Sequence, residues 1–212
     1  MAIQVFLADD HAVVRDGLRL LLEAQPDINV IGEAANGREA VRRAQLRCPD
    51  VMIMDIAMSD MNGIEATRQV RALCPSVQVV ILSMHSTQEH IAQALQAGAL
   101  GYVLKEAASA DVLSAVRAAH AGRPYLSEKI AKAWPRDQAR QVASPLESLS
   151  EREREVLQLI VEGKSSAQIA GILGLSPKTV ETYRSRLMHK LGISDLPSLV
   201  KFAIQHGLTP LE

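Results

Sequence analysis

Along its first 120 residues the chain repeats one pattern: a short apolar run, a polar turn, then apolar positions at helical spacing. Ile3 to Ala8 is a run of strand length, and Val13, Val14, Leu18, Leu21 and Leu22 follow at the three-and-four spacing of a helix face. Pro26-Asp27 ends that helix, Ile28 to Ala34 supplies a second strand, and Asn36-Gly37 turns into a helix carrying Ala40, Val41, Ala44 and Leu46. The alternation continues with strands at Val51 to Met54, Val77 to Ser83 and Gly101 to Leu104, and helices at Gly63 to Leu73, Thr87 to Ala97 and about Ser109 to His120. Val51-Met52-Ile53-Met54 is apolar at every position, the mark of a central strand buried on both faces. About five such βα units predict an α/β fold, a doubly wound five-stranded parallel sheet with right-handed crossovers.

From Ala121 to Ser148 the periodicity weakens around Gly122-Arg123-Pro124, Pro135 and polar residues such as Arg136, Asp137, Gln138, Arg140 and Gln141. This stretch reads as a linker with one short helix near Ser127 to Ala133, its Trp134 packing the linker against a domain. From Leu149 the pattern is helical throughout. Ser150 begins Ser150-Glu151-Arg152-Glu153, a capping-box signature, ahead of the apolar positions Val156, Leu157, Ile160 and Val161. A short helix at Ser166 to Leu173, a turn at Gly174, and a helix with Ser176 as N-cap and Pro177 at its first position follow. That helix is expected to end near Leu191-Gly192, and a last one to run from about Asp195 to His206 and close at Gly207. The expected domains are therefore 1–120, a linker at 121–148, and a separate all-α four-helix domain at 149–212.

Composition adds little to this division but narrows the chemistry. Hydrophobic residues make up 48% and aromatics only 3%, so both cores are expected to be aliphatic. The formal charge of -1 places any nucleic-acid signal in a local patch rather than in the whole chain. The N-terminus has no basic start followed by a long apolar segment, and no run reaches membrane-spanning length, which predicts a cytoplasmic protein. Cys48 and Cys74 each precede proline without ligand spacing and are expected as thiols with no redox or metal role. Met52, Met54, Met58 and Met61 read as core filling.

Four predicted strand ends carry polar groups: Asp9-Asp10, Asp55, Ser83 and Lys105. In an open α/β sheet these ends meet at one edge, where sites collect. Any one of them alone has an ordinary reading, as a helix cap or a solvated lysine. Together, three carboxylates repel unless a cation shares them, which implies a hard divalent ion with oxygen ligands, Mg²⁺. Lys105 and the Ser83 hydroxyl complete an inventory suited to a phosphoryl group on an oxygen nucleophile.

On Asp9-Asp10, Asp55 within Met54-Asp55-Ile56-Ala57-Met58, Gly63, Ser83 and Gly101-Tyr102-Val103-Leu104-Lys105, residues 3 to 120 resemble the receiver domain of two-component response regulators, a flavodoxin-like fold. The resemblance implies that Asp55 accepts the phosphoryl group and that Asp10, Asp55 and the Ala57 carbonyl ligate Mg²⁺, with Asp9 acting through a water. It further implies that Ser83 and Lys105 hold the phosphoryl oxygens, and that inward rotation of Tyr102 reports phosphorylation to the face formed by the fourth helix, fifth strand and fifth helix. Ala57 and His85 flank the site, at positions that tune phosphoryl lifetime in the family. Ser59 departs from the proline usual there and is expected to leave the loop freer.

The spacing Ala170, Gly174, Val180 is that of a helix-turn-helix, in which a small residue and a glycine let the second helix pack back on the first. That helix carries Lys178, Arg184, Arg186 and Lys190 against the single acid Glu181, a local basic patch suited to a major groove. The tract from Leu149-Ser150-Glu151-Arg152-Glu153 through Gly163-Lys164-Ser165-Ser166 and Ser176-Pro177-Lys178-Thr179-Val180 to Lys190-Leu191-Gly192 resembles the LuxR-type DNA-binding domain. With the receiver it is similar to the NarL/FixJ subfamily. By that resemblance Lys178, Glu181, Thr182, Ser185 and Arg186 reach base edges, while Thr179, Tyr183, Arg184 and Lys190 position phosphates.

The expected function is a phosphorylation-regulated transcription regulator. A sensor histidine kinase phosphorylates Asp55, and the change releases or dimerises the DNA-binding domain, with Leu199, Val200, Ala203 and Ile204 as either a homodimer patch or bundle core. Enzymatic activity is expected to be limited to self-directed phosphoryl transfer and slow self-dephosphorylation. A haloacid-dehalogenase-like phosphatase would need a second acid two residues after its nucleophile, where Ala57 stands. A constitutive DNA binder whose receiver serves only as a dimerisation platform is the other alternative.

Overall fold

The computed structural model describes residues 2–107, 109–134, 145–206 and 208. The chain divides into two compact units, residues 1–142 and 143–212.

In the first unit, strands β1 (Ile3–Ala8), β2 (Ile28–Ala34), β3 (Val51–Asp55), β4 (Gln78–Ser83) and β5 (Ala99–Leu104) alternate with helices α1 (Ala12–Glu23), α2 (Gly37–Leu46), α3 (Gly63–Leu73), α4 (Gln88–Gln96) and α5 (Ser109–His120). A two-residue strand β6 (Tyr125–Leu126) and helix α6 (Glu128–Ala133) follow. All neighbours pair in parallel, in the order β2-β1-β3-β4-β5-β6. Alternation along β3 divides the core, because successive side chains point to opposite faces. Val51 and Ile53 join Leu18 and Leu22 of α1 and Val112 and Val116 of α5, whereas Met52 and Met54 join the layer of α2, α3 and α4. The clustered methionines are core, each at most 3% exposed.

The sixth strand corrects the five-stranded expectation. Gly122, at φ +67°, turns the chain after α5, and Tyr125 and Leu126 pair with Gly101 and Tyr102 on the open edge of β5. An unpaired edge accepts any extended segment, and two residues are too few to show a period. Ile130 of α6 is fully buried and Trp134 is 4% exposed, both within the layer of α2, α3 and α4. Linker residues 135–144 lie outside the described residues.

The cysteines depart from expectation too: Cys48 and Cys74 are joined in a disulfide, with Cα atoms 6.0 Å apart. They are 26 residues apart in sequence, but β3 and β4 are neighbours, so the loops that lead into them meet.

The second unit holds a 3₁₀ turn at Pro145–Ser148 and helices α7 (Glu151–Val161), α8 (Ser166–Leu173), α9 (Pro177–Leu191) and α10 (Leu196–Gln205). Side-chain caps start all four: Ser150 and Ser165 form capping boxes, and Ser176 and Asp195 accept from the backbone one turn on. Gly174 and Gly192, both near φ +67°, end α8 and α9 in the left-handed conformation that favours glycine. Leu157, Val180, Leu187, Leu199 and Ala203 are fully buried in the helical core. Gly207, the expected last cap, lies outside the described residues.

Candidate functional site

Parallel pairing brings the ends of β1, β3, β4 and β5 to one edge. Asp9 follows Ala8, which pairs with Met54; Asp55 pairs with Leu82; and Ser83 pairs with Leu104, after which Lys105 donates its amide to the Ser83 carbonyl at 2.9 Å. Asp9 and Asp55 are each 2% exposed and Ser83 is fully buried, whereas Asp10 is exposed.

One ammonium joins two of these acids. Lys105 Nζ lies 2.8 Å from Asp9 Oδ2 and 2.9 Å from Asp55 Oδ2. The other Asp9 oxygen accepts from the His11 amide at 2.9 Å, so both of its oxygens are engaged within the protein. Burial pushes the Asp55 carboxyl above its ordinary value, and the Asp9 charge acts the same way against Lys105. For Lys105, burial works downward, but the Asp55 and Asp9 carboxylates outweigh it and hold the ammonium up.

Carboxylate oxygens of Asp9, Asp10 and Asp55 and a ring nitrogen of His11 lie within 4.8 Å of one another. His11 Nδ1 sits 2.7 Å from Asp10 Oδ1 and 3.3 Å from Asp9 Oδ1. Sequence reasoning passed over His11. The signal was available, since it directly follows the acid pair and occupies the N-cap of α1, where its side chain makes no capping bond.

The loop after Asp55 is fixed by its backbone. Gly63 donates to the Ile56 carbonyl at 2.9 Å, and a Cβ at Gly63 would overlap the Asp55 carbonyl oxygen, which accounts for glycine there. Asn62 caps α3 by accepting from the Glu65 amide at 2.9 Å. Ser59 is exposed, its carbonyl accepting from the Met61 amide at 2.7 Å, and Asp60 between them adopts φ +63°. Ala57, half-buried, lies in the same loop.

In the helical unit, α8, the Gly174 turn and α9 form the helix-turn-helix. Val180 and Leu187 pack inward, and Lys178, Glu181, Thr182, Ser185 and Arg186 are all exposed on α9. Their spacing of three and four places them along one side of the helix. Thr179, Tyr183 and Arg184 are half-buried at its margin. Glu181 accepts from the Ser166 hydroxyl, and Lys190 Nζ lies 2.6 Å from a Glu153 carboxylate oxygen and 3.2 Å from the Ser148 carbonyl. His189, one turn after Ser185, is an exposed residue of α9 that the sequence reading did not single out.

Residues 5–117 match the response regulator receiver domain, and residues 147–203 match the bacterial regulatory proteins of the luxR family. The chain belongs to the NarL/FixJ response regulators. The response regulator UvrY of Escherichia coli K12 is 39% identical over 212 residues, covering 99% of this chain and 97% of the relative. The transcriptional regulatory protein LiaR of Bacillus subtilis is 41% identical over 208 residues, 97% of this chain and 99% of that one. A structure of RcsB from Salmonella enterica serovar Typhimurium, bound to a promoter in the presence of a phosphomimetic, aligns at TM-score 0.62 and 26% identity, over 95% of this chain and 98% of that one. The protein is thus a two-component transcription regulator with a receiver and a LuxR-type DNA-binding domain. Among the described residues no helix is long and apolar enough to cross a membrane.

In this response regulator Tyr102 is already turned inward and fully buried. Its hydroxyl donates to the His85 carbonyl at 2.8 Å, its own carbonyl accepts from the Ser127 amide at 3.1 Å, and the His85 amide donates to Ser83 Oγ at 3.1 Å. Burial raises the Tyr102 phenol pKa, so the group stays a donor throughout the physiological range. Through its hydroxyl on one side and its backbone carbonyl on the other, this one residue connects the loop after Ser83 to the segment that leads into α6. The His85 ring stacks on His90, with centroids 4.5 Å apart.

Proposed function

We propose that Asp55 accepts a phosphoryl group from a histidine of a partner sensor kinase, and that the acyl phosphate controls DNA binding by residues 149–212. The observation that carries this reading is the Lys105 ammonium shared between Asp9 and Asp55. A phosphoryl group on an Asp55 oxygen places new anionic oxygens beside a cation already held at that point, and Lys105 exchanges a carboxylate oxygen for a phosphoryl oxygen. The buried Ser83 hydroxyl is the neutral donor at the next strand end. In the transfer, the N–P bond of the phosphohistidine breaks as the O–P bond to Asp55 forms, and the freed imidazole keeps its electron pair.

Asp10, Asp55 and the Ala57 carbonyl are the assigned ligands of Mg²⁺, with Asp9 acting through a water. The all-oxygen donor set suits a hard cation, and the engagement of both Asp9 oxygens supports the indirect role. Bound there, Mg²⁺ would supply charge neutralisation of the phosphoryl oxygens. Self-directed transfer and slow hydrolysis are the covalent chemistry assigned to the chain, which we place in the cytoplasm.

For DNA, Lys178, Glu181, Thr182, Ser185 and Arg186 are assigned to base edges and Thr179, Tyr183 and Arg184 to phosphates. Lys190 reaches phosphate only by leaving Glu153. Dimerisation on DNA is assigned to the outer face of α10, where Leu196, Val200 and Ile204 are partly exposed. Leu199 and Ala203, weighed for the same patch, belong to the core instead.

The test is DNA binding by the full chain at fixed salt, on a duplex selected from a random library, with and without acetyl phosphate and Mg²⁺, beside Asp55→Asn. The reading requires tighter binding on phosphorylation that the variant loses. Equal affinity in every arm would leave the receiver as a dimerisation platform for a constitutive binder.

A further inference from the structure

The Cys48–Cys74 bridge has no part in phosphoryl transfer or DNA binding, and its setting gives it a chemistry of its own. Cys48 follows the end of α2 and precedes Pro49; Cys74 caps the end of α3 and precedes Pro75. The bridge therefore joins the loops that enter β3 and β4. Asp55 and Ser83 lie at the opposite ends of those strands, so Asp55 is about 20 Å from Cys48 at the rise of an extended strand.

The two sulfurs differ in access. Cys48 is exposed, whereas Cys74 is 2% exposed. A small thiol or disulfide therefore approaches the bridge from the Cys48 side, because the Cys74 residue is buried. The backbone beneath both is held without the bridge. Gln78 donates to the Asp50 carbonyl at 2.9 Å, Cys74 to the Val70 carbonyl at 2.8 Å, and each proline disfavours helical geometry for the cysteine before it. Opening the bond thus leaves two thiols still facing each other, which favours reclosure.

Compartment supplies the second argument. A chain that acts on bacterial DNA works where low-molecular-weight thiols keep cysteines reduced, and disulfides found there are mostly transient or sensing.

We propose that Cys48 and Cys74 form a reversible redox site that responds to the low-molecular-weight thiol–disulfide pool. In oxidation the Cys48 thiolate attacks a small disulfide RSSR, giving Cys48–S–SR and RSH after protonation. The Cys74 thiol then loses its proton and displaces the second RS⁻, for a net change of two protein thiols and RSSR into the bridge and two RSH. Reduction reverses these steps, starting at the sulfur of the exposed residue Cys48. Closure locks the two loops together and stiffens the receiver, while the remote phosphoryl site keeps its chemistry.

The experiment equilibrates the full chain in buffers of varied reduced-to-oxidised glutathione ratio, then quenches with acid, alkylates, and maps the peptides by mass. The bridged fraction is expected to pass from low to high within the physiological span of ratios. The oxidised form is expected to melt roughly 10 °C above the reduced one, from the loop-closure effect on the unfolded chain. Cys48→Ser and Cys74→Ala, made separately, should each abolish that redox-dependent shift, and acetyl phosphate should label Asp55 at the same rate in both redox forms. Free thiols at every ratio, a glutathione adduct on Cys48 that never proceeds to the bridge, or a bridge that persists under strongly reducing conditions would each overturn the proposal.

Discussion

Lys105 Nζ stands 2.9 Å from Asp55 Oδ2 and, on its other side, 2.8 Å from Asp9 Oδ2, so one ammonium serves two nearly buried carboxylates. The shared cation does not fully offset the desolvation of Asp55, whose carboxyl remains above its ordinary value of 3.8. A raised carboxyl binds its proton more tightly in the folded state than in the unfolded one. Its contribution is therefore fully present below 3.8 and is lost as pH rises through the higher folded value. Replacing Asp55 by Asn removes that penalty. Without divalent ions, Asp55→Asn is expected to be more stable than the native chain at neutral pH by on the order of 1 kcal/mol, the gap narrowing as pH falls toward 3.8. Urea titrations of both proteins across that range would show it, and equal midpoints at neutral pH would contradict it.

Loss of the lysine should act in the opposite direction. Lys105→Ala leaves Asp9 and Asp55 facing each other at the sheet edge with no cation between them, a change that costs about 3 kcal/mol in buried settings. Mg²⁺ should restore part of that loss in the variant, because added positive charge replaces what was removed. Melting curves with and without Mg²⁺ check this; equal Mg²⁺ shifts in variant and native protein would count against it.

Gly63 presents a backbone constraint rather than a charge. Since an added Cβ would overlap the Asp55 carbonyl oxygen, Gly63→Ala must displace the loop at the end of β3. The expected cost is about 2 kcal/mol or more, together with slower labelling by acetyl phosphate. Denaturation midpoint and labelling rate, measured on the same sample, test both parts.

On α9, Lys190 and Arg186 separate stability from recognition. Burial works to raise the Glu153 carboxyl, but its bonds to Lys190 and Ser150 prevail and hold it below the ordinary 4.5. That stabilisation is present above 4.5 and disappears as pH falls through the lower folded value. Lys190→Met should thus destabilise the DNA-binding domain near neutral pH by roughly 1 kcal/mol, a modest figure because the lysine end is open to water. Arg186→Ala should leave the melting temperature unchanged and weaken specific DNA binding by about 1–3 kcal/mol. Calorimetry and salt-dependent DNA titrations on the two variants distinguish these roles.

Much of this was readable along the chain because it is local. Apolar runs and helical spacing mark all five long strands and the helices between them. The capping box at Ser150, the left-handed turn at Gly174 and the N-cap at Ser176 each depend on a few adjacent residues. The convergence of Asp9, Asp10, Asp55, Ser83 and Lys105 follows from one further rule, that parallel strands bring their carboxyl ends to one edge. The outward side of α9 was mostly legible for the same reason, since three-and-four spacing defines a helix face. His11 was missed because a histidine after two acids has no signature until its ring is placed beside them.

The sequence by itself determined the two-domain order, the strand-end acids and the helix-turn-helix, all of which rest on periodicity and short-range hydrogen bonding. Only the tertiary structure decided the rest: that β6 occupies the edge of β5, that Lys105 spans Asp9 and Asp55, that Lys190 binds Glu153 and that Cys48 meets Cys74. Each is a contact between segments distant in the chain. Such contacts depend on which strands and helices become neighbours and on the rotamers long side chains adopt there, and neither leaves a periodic trace in the order of residues.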